Sequence, residues 1–462
     1  MRVVEGLLTG SKATLTELGR HLGPAPEAPA DEAVTVPAHA RKKPGRQRLP
    51  DALPRVDIVH DVPDAEKQCP CGCGEMVPIG EDVSEQLDII PAKIQVLRHV
   101  RPRYACPQCQ AGGVAQAAMP PQPIPKSLAS PGLLAYVATA KYVDALPLYR
   151  QHALLGRAGI ELSRTTLAYW MVACGALVQP LINLLRDTLL GYDVLQMDET
   201  TVQVLKEPGR SAQSQSYLWV QRGGPPGRPV ILYDYDPSRS SAVPQRVLAD
   251  YQGYLQTDGY AVYRAVARVP GITAVGCFAH ARRKFDEAIR AQGKGAKART
   301  GKAHQGLAFI QKLYCIERAW KDASPEDRHA AHQAEARPVI HELKAWLDKS
   351  LPQVPEKSAT GTALGYLAHQ WPGLIRYLED GRLATDNNRC ENAIRPFVIG
   401  KNWLFSNTPK GANASANLYA LIETAKANGL EPYTYLRHVF AELPRATTVE
   451  AFEALLPWNV IP

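Results

Sequence analysis

Val194-Leu195-Gln196-Met197-Asp198-Glu199-Thr200-Thr201-Val202 reads as a buried β-strand with two acids in its middle. Apolar and β-branched neighbours on both sides set the strand pattern. Carboxylates in such a strand lose solvation unless a cation or hydrogen-bond donors compensate. Two later stretches repeat the theme: Tyr254-Leu255-Gln256-Thr257-Asp258-Gly259-Tyr260 and Asp386-Asn387-Asn388-Arg389-Cys390-Glu391-Asn392. The pattern asks whether these acids converge on a metal ion.

Working outward, strands are expected at 194–205, 216–222 and 229–235, divided by turn chemistry at Glu207-Pro208-Gly209 and Gly223-Gly224-Pro225-Pro226-Gly227. A helix at 240–251, a strand at 253–257, a helix at 259–266 and a strand at 272–277 follow. Three strands joined by turns, then strands alternating with helices, is the element order of a ribonuclease H-like α/β fold. In that order Asp198 sits mid-strand and Asp258 ends a neighbouring strand. Glu391 comes from a helix packed on the sheet, after a helical stretch over 281–380 with no strand pattern. Three carboxylates with oxygen-only donors suit two Mg²⁺ (or Mn²⁺) ions, the arrangement for in-line displacement at a phosphodiester. Each acid also has a plainer explanation. Asp198 or Glu199 could pair with an arginine, Asp258 precedes a turn glycine, and Glu391 could serve a helix N-terminus or pair with Arg395 four residues on.

Upstream, residues 133–143, 147–155 and 164–174 read as three helices, the last capped by Ser163. A helix, a turn and a helix opening Ser163-Arg164-Thr165-Thr166 form a helix-turn-helix-like unit, with Arg164, Thr165 and Thr166 as DNA contacts. Ordinary three-helix packing is the competing reading. A further helix, 177–190, leads into the first strand. Nearer the N-terminus stand Cys69-Pro70-Cys71-Gly72-Cys73 and Cys106-Pro107-Gln108-Cys109, separated by an alternating Val- and Ile-rich segment. Two knuckles flanking a small sheet is the zinc-ribbon arrangement, with structural Zn²⁺ on Cys69, Cys73, Cys106 and Cys109, and Cys71 an alternative to either of the first two. Five unligated cysteines in a small module is the competing reading. Residues 1–22 suggest a short helix interrupted by Gly10, and the basic run 41–48 belongs to a linker unable to fold alone.

The totals fit this layout. A chain of 462 residues with 45% hydrophobic content supports several domains, and a net charge of +8 suits a polyanionic partner. No apolar run approaches a membrane span, so no membrane role is expected. Nine cysteines, five of them between 69 and 109, suggest a reduced cytoplasm with one metal module rather than a disulfide framework.

Together, Met197-Asp198-Glu199-Thr200, Thr257-Asp258-Gly259-Tyr260, Cys277-Phe278-Ala279-His280-Ala281-Arg282-Arg283-Lys284-Phe285, the run from Asn387 to Pro396 and Gly400-Lys401-Asn402-Trp403-Leu404-Phe405 resemble the insertion-sequence-66 transposases. Gly80-Glu81-Asp82-Val83-Ser84-Glu85-Gln86-Leu87 resembles their zinc-binding module. The resemblance runs from about residue 50 to the C-terminus. It implies a DDE transposase whose triad is Asp198, Asp258 and Glu391, with a helical segment inserted before the glutamate. Neighbouring strand residues face opposite sides, so only one of Asp198 and Glu199 reaches the metals, and Asp198 is the assignment. His280, Arg282, Arg283 and Lys284 are expected to meet DNA, as are Arg395 and Lys401; Trp403 is expected to stack on a base or, as the plainer reading, to pack in the core. The family usually begins with a longer leucine-zipper-like helix than the pattern of residues 1–22 suggests.

The expected layout is an N-terminal helix and linker (1–55), a zinc-ribbon-like module (56–112) and a helix-turn-helix-like region (126–190). Then come the first part of the catalytic core (191–290), a helical insertion (291–380), the helix carrying the third acid (381–402) and a small C-terminal region (403–462). The expected partners are the element's terminal inverted repeats and target DNA, with a homo-oligomer on DNA and accessory proteins of the same element. The expected location is the bacterial cytoplasm, on the nucleoid when DNA is bound. A nuclease without strand transfer and a non-catalytic DNA-binding regulator are the alternatives.

Overall fold

A computed structural model describes residues 94–105, 114–291, 301–403 and 405–460. The expected N-terminal helix and basic linker lie outside them, as do Cys69, Cys71, Cys73, Cys106 and Cys109. On either side of the second cysteine pair, β1 (Arg103–Ala105) and β2 (Val114–Gln116) pair antiparallel, with Tyr104 opposite Ala115.

Among the described residues four helices precede the main sheet, and the starts of three follow capping or proline chemistry. Ser130 opens α1 (Pro131–Tyr142) by accepting from the Leu133 amide, and α2 (Leu148–Arg157) follows Pro147. Ser163 opens α3 (Arg164–Leu177) by accepting from the Thr166 amide at 3.0 Å. α4 (Gln179–Leu190) completes the group. The buried faces of α1, α3 and α4 join the core of the sheet: Leu134, Leu167, Trp170, Leu181 and Leu185 belong to one apolar cluster with Leu195, Trp219 and Leu232. No single helix among the described residues is long and apolar enough to cross a membrane.

The sheet contains β3 (Val194–Gln203), β4 (Gln215–Gly223), β5 (Val230–Asp236), β6 (Gly253–Gln256) and β7 (Ile272–Val275). Their spatial order is β5-β4-β3-β6-β7; β4 runs antiparallel to both β3 and β5, and β6 and β7 run parallel to β3. Gly253 is required where β6 docks: its φ is +147°, and a Cβ there would lie 2.5 Å from the Asp193 carbonyl oxygen.

Several elements are shorter than the sequence pattern suggests, and for three the structure shows why. α5 covers only Ala242–Val247, because the chain turns through Asp250 at φ +66° to enter β6. α6 (Ala261–Val266) starts late, because Tyr260 is extended and gives its amide to Asp258 Oδ1 at 3.0 Å. β7 stops at Val275, because the next amide, Gly276, bonds to the Gly373 carbonyl at 2.9 Å.

The helical insertion has its own core. α7 (Phe278–Ala291), α8 (Lys302–Ala319), α10 (Arg337–Ser350) and α11 (Ala359–Leu374) bury Phe278, Phe285, Ile310, Leu343 and Leu367 together, and the short α9 (Pro325–Ala331) lies between α8 and α10 in the chain. A single π-turn, His332–Ala336, joins α9 to α10. Returning to the sheet, α12 (Asn388–Gly400) lies against β3 and β4, and α13 (Pro409–Ala427) lies against β5 and α3. α14 (Pro432–Glu442) packs on α1, and α15 (Val449–Glu453) packs on α4. The segment after residue 403 therefore shares the sheet's core, with Leu418, Leu421, Leu436 and Phe440 buried in the same cluster.

Candidate active site

β3 and β6 run parallel with Gln196 opposite Gln256. Two residues further along each chain, on the same side, come Asp198 and Asp258. The register thus brings the two aspartates out beside each other at one end of the sheet. Beneath them the buried Gln196 amide donates to Gln256 Oε1 at 2.8 Å. The same two amides reach the segment leading into α12: Gln196 donates to the Asp386 carbonyl at 3.1 Å and Gln256 to the Ala384 carbonyl at 2.7 Å. Asp386 then accepts from the Asn388 amide at 3.1 Å and from the Tyr314 hydroxyl of the insertion at 2.7 Å. This network sets the start of α12, and Glu391 lies in its first turn.

Electrostatics separate the neighbouring acids. Burial pushes the Asp198 carboxyl up to about 7, reinforced by the charges of Glu199, Asp258 and Glu391 and opposed by a 2.8 Å bond from the Glu199 amide. The Glu199 side chain, only 2% exposed, is already engaged. Arg239 donates to its Oε1 through Nη2 at 2.6 Å and Nε at 3.0 Å, and the Tyr263 hydroxyl takes Oε2. The Tyr260 ring backs Arg239 at 3.9 Å. Among the described residues no cation pairs with Asp198 or Asp258. Two adjacent carboxylates without a counter-charge, and oxygen as the donor type, fit a divalent cation such as Mg²⁺.

Glu391 pairs across to α7 rather than with Arg395. His280 Nε2 stands 3.7 Å from Glu391 Oε1, and Arg283 Nη2 stands 3.9 Å from Oε2. Glu391 Oε1 and His280 Nδ1 are buried without a hydrogen-bond partner. Among the described residues, the one group of three potential ligand atoms within 4.8 Å of each other is Cys277, His280 and Glu391, not the three acids. Glu391 acts on Asp198 through its charge while leaning towards His280 and Arg283 of α7.

Residues 126–414 match the model of the Transposase IS66 family. The chain belongs to that family. Residues 66–110 match the zinc-finger binding domain of transposase IS66, and 420–458 match the IS66 C-terminal element. Residues 12–58 match a model described as Transposase C of IS166 homeodomain, over a stretch that the sequence pattern divides into the end of a short helix and a linker. Three similar proteins come from Sinorhizobium fredii (strain NBRC 101917 / NGR234), each described only as uncharacterized. The protein y4jD is 34% identical over 426 residues, covering 89% of this chain and 81% of that protein. The protein y4qI is 32% identical over 420 residues (88% and 76%), and y4hP 30% over 448 residues (94% and 80%). This IS66 family chain is therefore a transposase, with DNA as its partner and a zinc-finger domain that supports structural zinc.

The residues expected to meet DNA in this IS66 transposase fall into two groups. Arg164 and Thr165 are exposed at the start of α3, with Thr166 beside them in the Ser163 cap. Arg282, Arg283 and Arg395 are also exposed, and Lys284 pairs with Glu287 at 3.1 Å. Lys401 differs. Its ammonium donates to Thr200 Oγ1 at 2.7 Å, Thr201 Oγ1 at 3.0 Å and the Thr201 carbonyl at 3.1 Å, and burial lowers its pKa. All three of its protons hold β3 to the end of α12. Trp403 is 41% exposed and donates to the Ala145 carbonyl at 2.7 Å, so it tethers a loop instead of filling the core.

Sequence reasoning raised an arginine partner for Asp198 or Glu199 without finding Arg239 or Tyr263, and it missed the glutamine pair. The second had a visible signal: Gln196-Met197-Asp198 and Gln256-Thr257-Asp258 share one Gln-x-Asp spacing on two neighbouring strands. The first had none, since Arg239 lies 40 residues from Glu199 in a connecting loop.

Proposed function

We propose that this transposase cleaves DNA at the ends of its own element and joins the freed strand to target DNA, using Asp198, Asp258 and Glu391 as a metal-binding triad. The observation that carries this reading is the register that sets Asp198 beside Asp258 with no cation, while Glu199 next door is fully neutralised. The sheet order, with three antiparallel strands followed by two parallel ones and a helix bearing the third acid packed on it, supports a ribonuclease H-like core.

The triad would hold Mg²⁺ or Mn²⁺, which when bound supplies activation of the attacking oxygen and stabilisation of the leaving oxygen. The chain's own residues do the positioning. The Gln196–Gln256 pair fixes the two aspartates and the approach of α12, and Tyr314 holds Asp386 beneath Glu391. Arg239 and Tyr263 keep Glu199 off the reacting groups. His280 and Arg283 line the Glu391 side of the site, where the scissile phosphate would lie; Arg282, Lys284, Arg395 and the start of α3 (Arg164, Thr165, Thr166) would track flanking DNA. In the first step a water oxygen bonds to the scissile phosphorus as the bond to the 3′-oxygen breaks, leaving a 3′-hydroxyl and a 5′-phosphate. In the second that 3′-hydroxyl bonds to a target phosphorus and displaces the target's own 3′-oxygen. Structural zinc would sit on Cys106 and Cys109 with two of Cys69, Cys71 and Cys73. The working form is a homo-oligomer on DNA in the bacterial cytoplasm, at the nucleoid, with accessory proteins of the same element.

The test is Mg²⁺-dependent joining of an end-labelled element-tip oligonucleotide to a target duplex. Joined product that disappears in Asp258→Asn supports the proposal. Cleavage without joining makes the protein a nuclease, and binding without metal-dependent cleavage makes it a regulator.

A further inference from the structure

Cys277, His280 and Glu391 bring a thiol, an imidazole and a carboxylate to one point. Their ligand atoms lie within 4.8 Å of one another, and His280 Nε2 is 3.7 Å from Glu391 Oε1. Two polar atoms of the group, Glu391 Oε1 and His280 Nδ1, are buried and make no hydrogen bond. Buried polar atoms in folded proteins are nearly always paired, so two orphans in one small group mark a place built to take a further donor, water or ion. Cys277 is 2% exposed and lies just before α7, three residues ahead of His280, so one turn of backbone fixes both. The His280 and Glu391 side chains are 20% and 25% exposed, which leaves the group open on one side.

We infer that Cys277, His280 and Glu391 form a second metal site, suited to zinc, and that an ion there withdraws Glu391 from the two aspartates. The donor types decide the metal. Sulfur and nitrogen disfavour Mg²⁺, which takes oxygen, whereas one thiolate, one imidazole and one carboxylate plus a water is a set that zinc accepts. A tetrahedral zinc ion with bonds of about 2.0–2.3 Å places its ligand atoms roughly 3.4–3.8 Å apart. The three ligand atoms already lie within 4.8 Å of one another, so an ion has to draw them in by no more than about 1–1.5 Å. Glu391 is shared between the sites, so zinc bound on this side opposes Mg²⁺ bound on the other. The inhibitory half of this inference rests on the proposed triad; the binding half does not.

The full chain, zinc-loaded and freed of loose metal by gel filtration, is assayed for zinc content as wild type and as Cys277→Ala. The wild type is expected to hold one more equivalent than the variant, since the cysteines before residue 110 are common to both. Cys277→Ser, which keeps the buried volume, is the second variant should Cys277→Ala not fold. In cleavage assays with excess Mg²⁺, added zinc is expected to inhibit the wild type, and either variant to raise the half-inhibiting concentration by about tenfold or more. Equal zinc content in wild type and a folded variant overturns the site, and equal inhibition overturns its antagonism to the triad. A wild type inactive with Mg²⁺ alone counts against the proposed function, and the zinc content then judges the second site by itself.

Discussion

Two half-buried acids of this protein meet opposite surroundings. Glu317, in the helical insertion, is 13% exposed and receives Arg328 Nη2 at 2.8 Å and His332 Nε2 at 2.6 Å. Burial alone would raise its pKa, but His332 and Arg328 outweigh that and hold it below the usual glutamate value. Asp198, in the sheet, is surrounded by other acids and sits at about 7. In the insertion, buried charge is spent on joining α8 to α9 and the π-turn. In the sheet, charge is left uncompensated, a cost to stability that persists where a site needs it.

The contrast can be broken at either end. The largest effect on folding is expected from Glu317→Ala, which strands Arg328 and His332 and should cost about 3–5 kcal/mol in a urea melt. A loss near zero would mean the buried network contributes nothing. Asp258→Asn should lower Mg²⁺-dependent cleavage by roughly a thousandfold, equivalent to ~4 kcal/mol, with the circular dichroism spectrum unchanged. Activity within tenfold of wild type would remove Asp258 from the site.

The pH dependence runs in opposite directions for the two acids. The folded-state pKa of Asp198, about 7, lies above the ordinary aspartate value of 3.8, so the native state holds the extra proton between those values. Its contribution is therefore present at low pH and is lost as pH rises through that window, on the order of 2–4 kcal/mol for the metal-free chain. Asp198→Asn should flatten this slope, and a thermal-melt series with the same slope as wild type would refute the assignment. Glu317, with its lowered value, stabilises at neutral pH and loses that contribution as pH falls through its folded pKa. The smallest effect is expected from Glu199→Gln, about 1–2 kcal/mol of stability with less than about a tenfold change in cleavage. A loss as deep as that of Asp258→Asn would move the metal ligand from Asp198 to Glu199.

Much of the sheet was legible because its signals are local. Alternation within 194–205 and the Pro-Gly turns mark the strands, and Ser163 marks α3, since a hydroxyl before an apolar period has few other uses. The positions of Asp198 and Asp258 followed from strand order. What resisted reading is non-local. Nothing near Lys401 in sequence indicates that it spends its charge on Thr200 and Thr201, and the pull of His280 and Arg283 on Glu391 depends on how α7 meets α12. The shortened α5 and β7 end where backbone from elsewhere, or a left-handed residue, intervenes, and helix or strand propensity carries no trace of that.

The last partners of β3 arrive late. Ser406 bridges Val204, Lys401 holds Thr200 and Thr201, and α13 covers β5 from Pro409 onward. All five strands of the main sheet have been synthesised once Val275 has left the ribosome, yet α12 and α13, which pack on β3, β4 and β5, emerge only after the insertion. Translation therefore acts as a timer: a chain still attached to the ribosome at the end of the insertion has both aspartates and no third acid. On the proposed triad, competence to cut would arrive only once α12 has emerged.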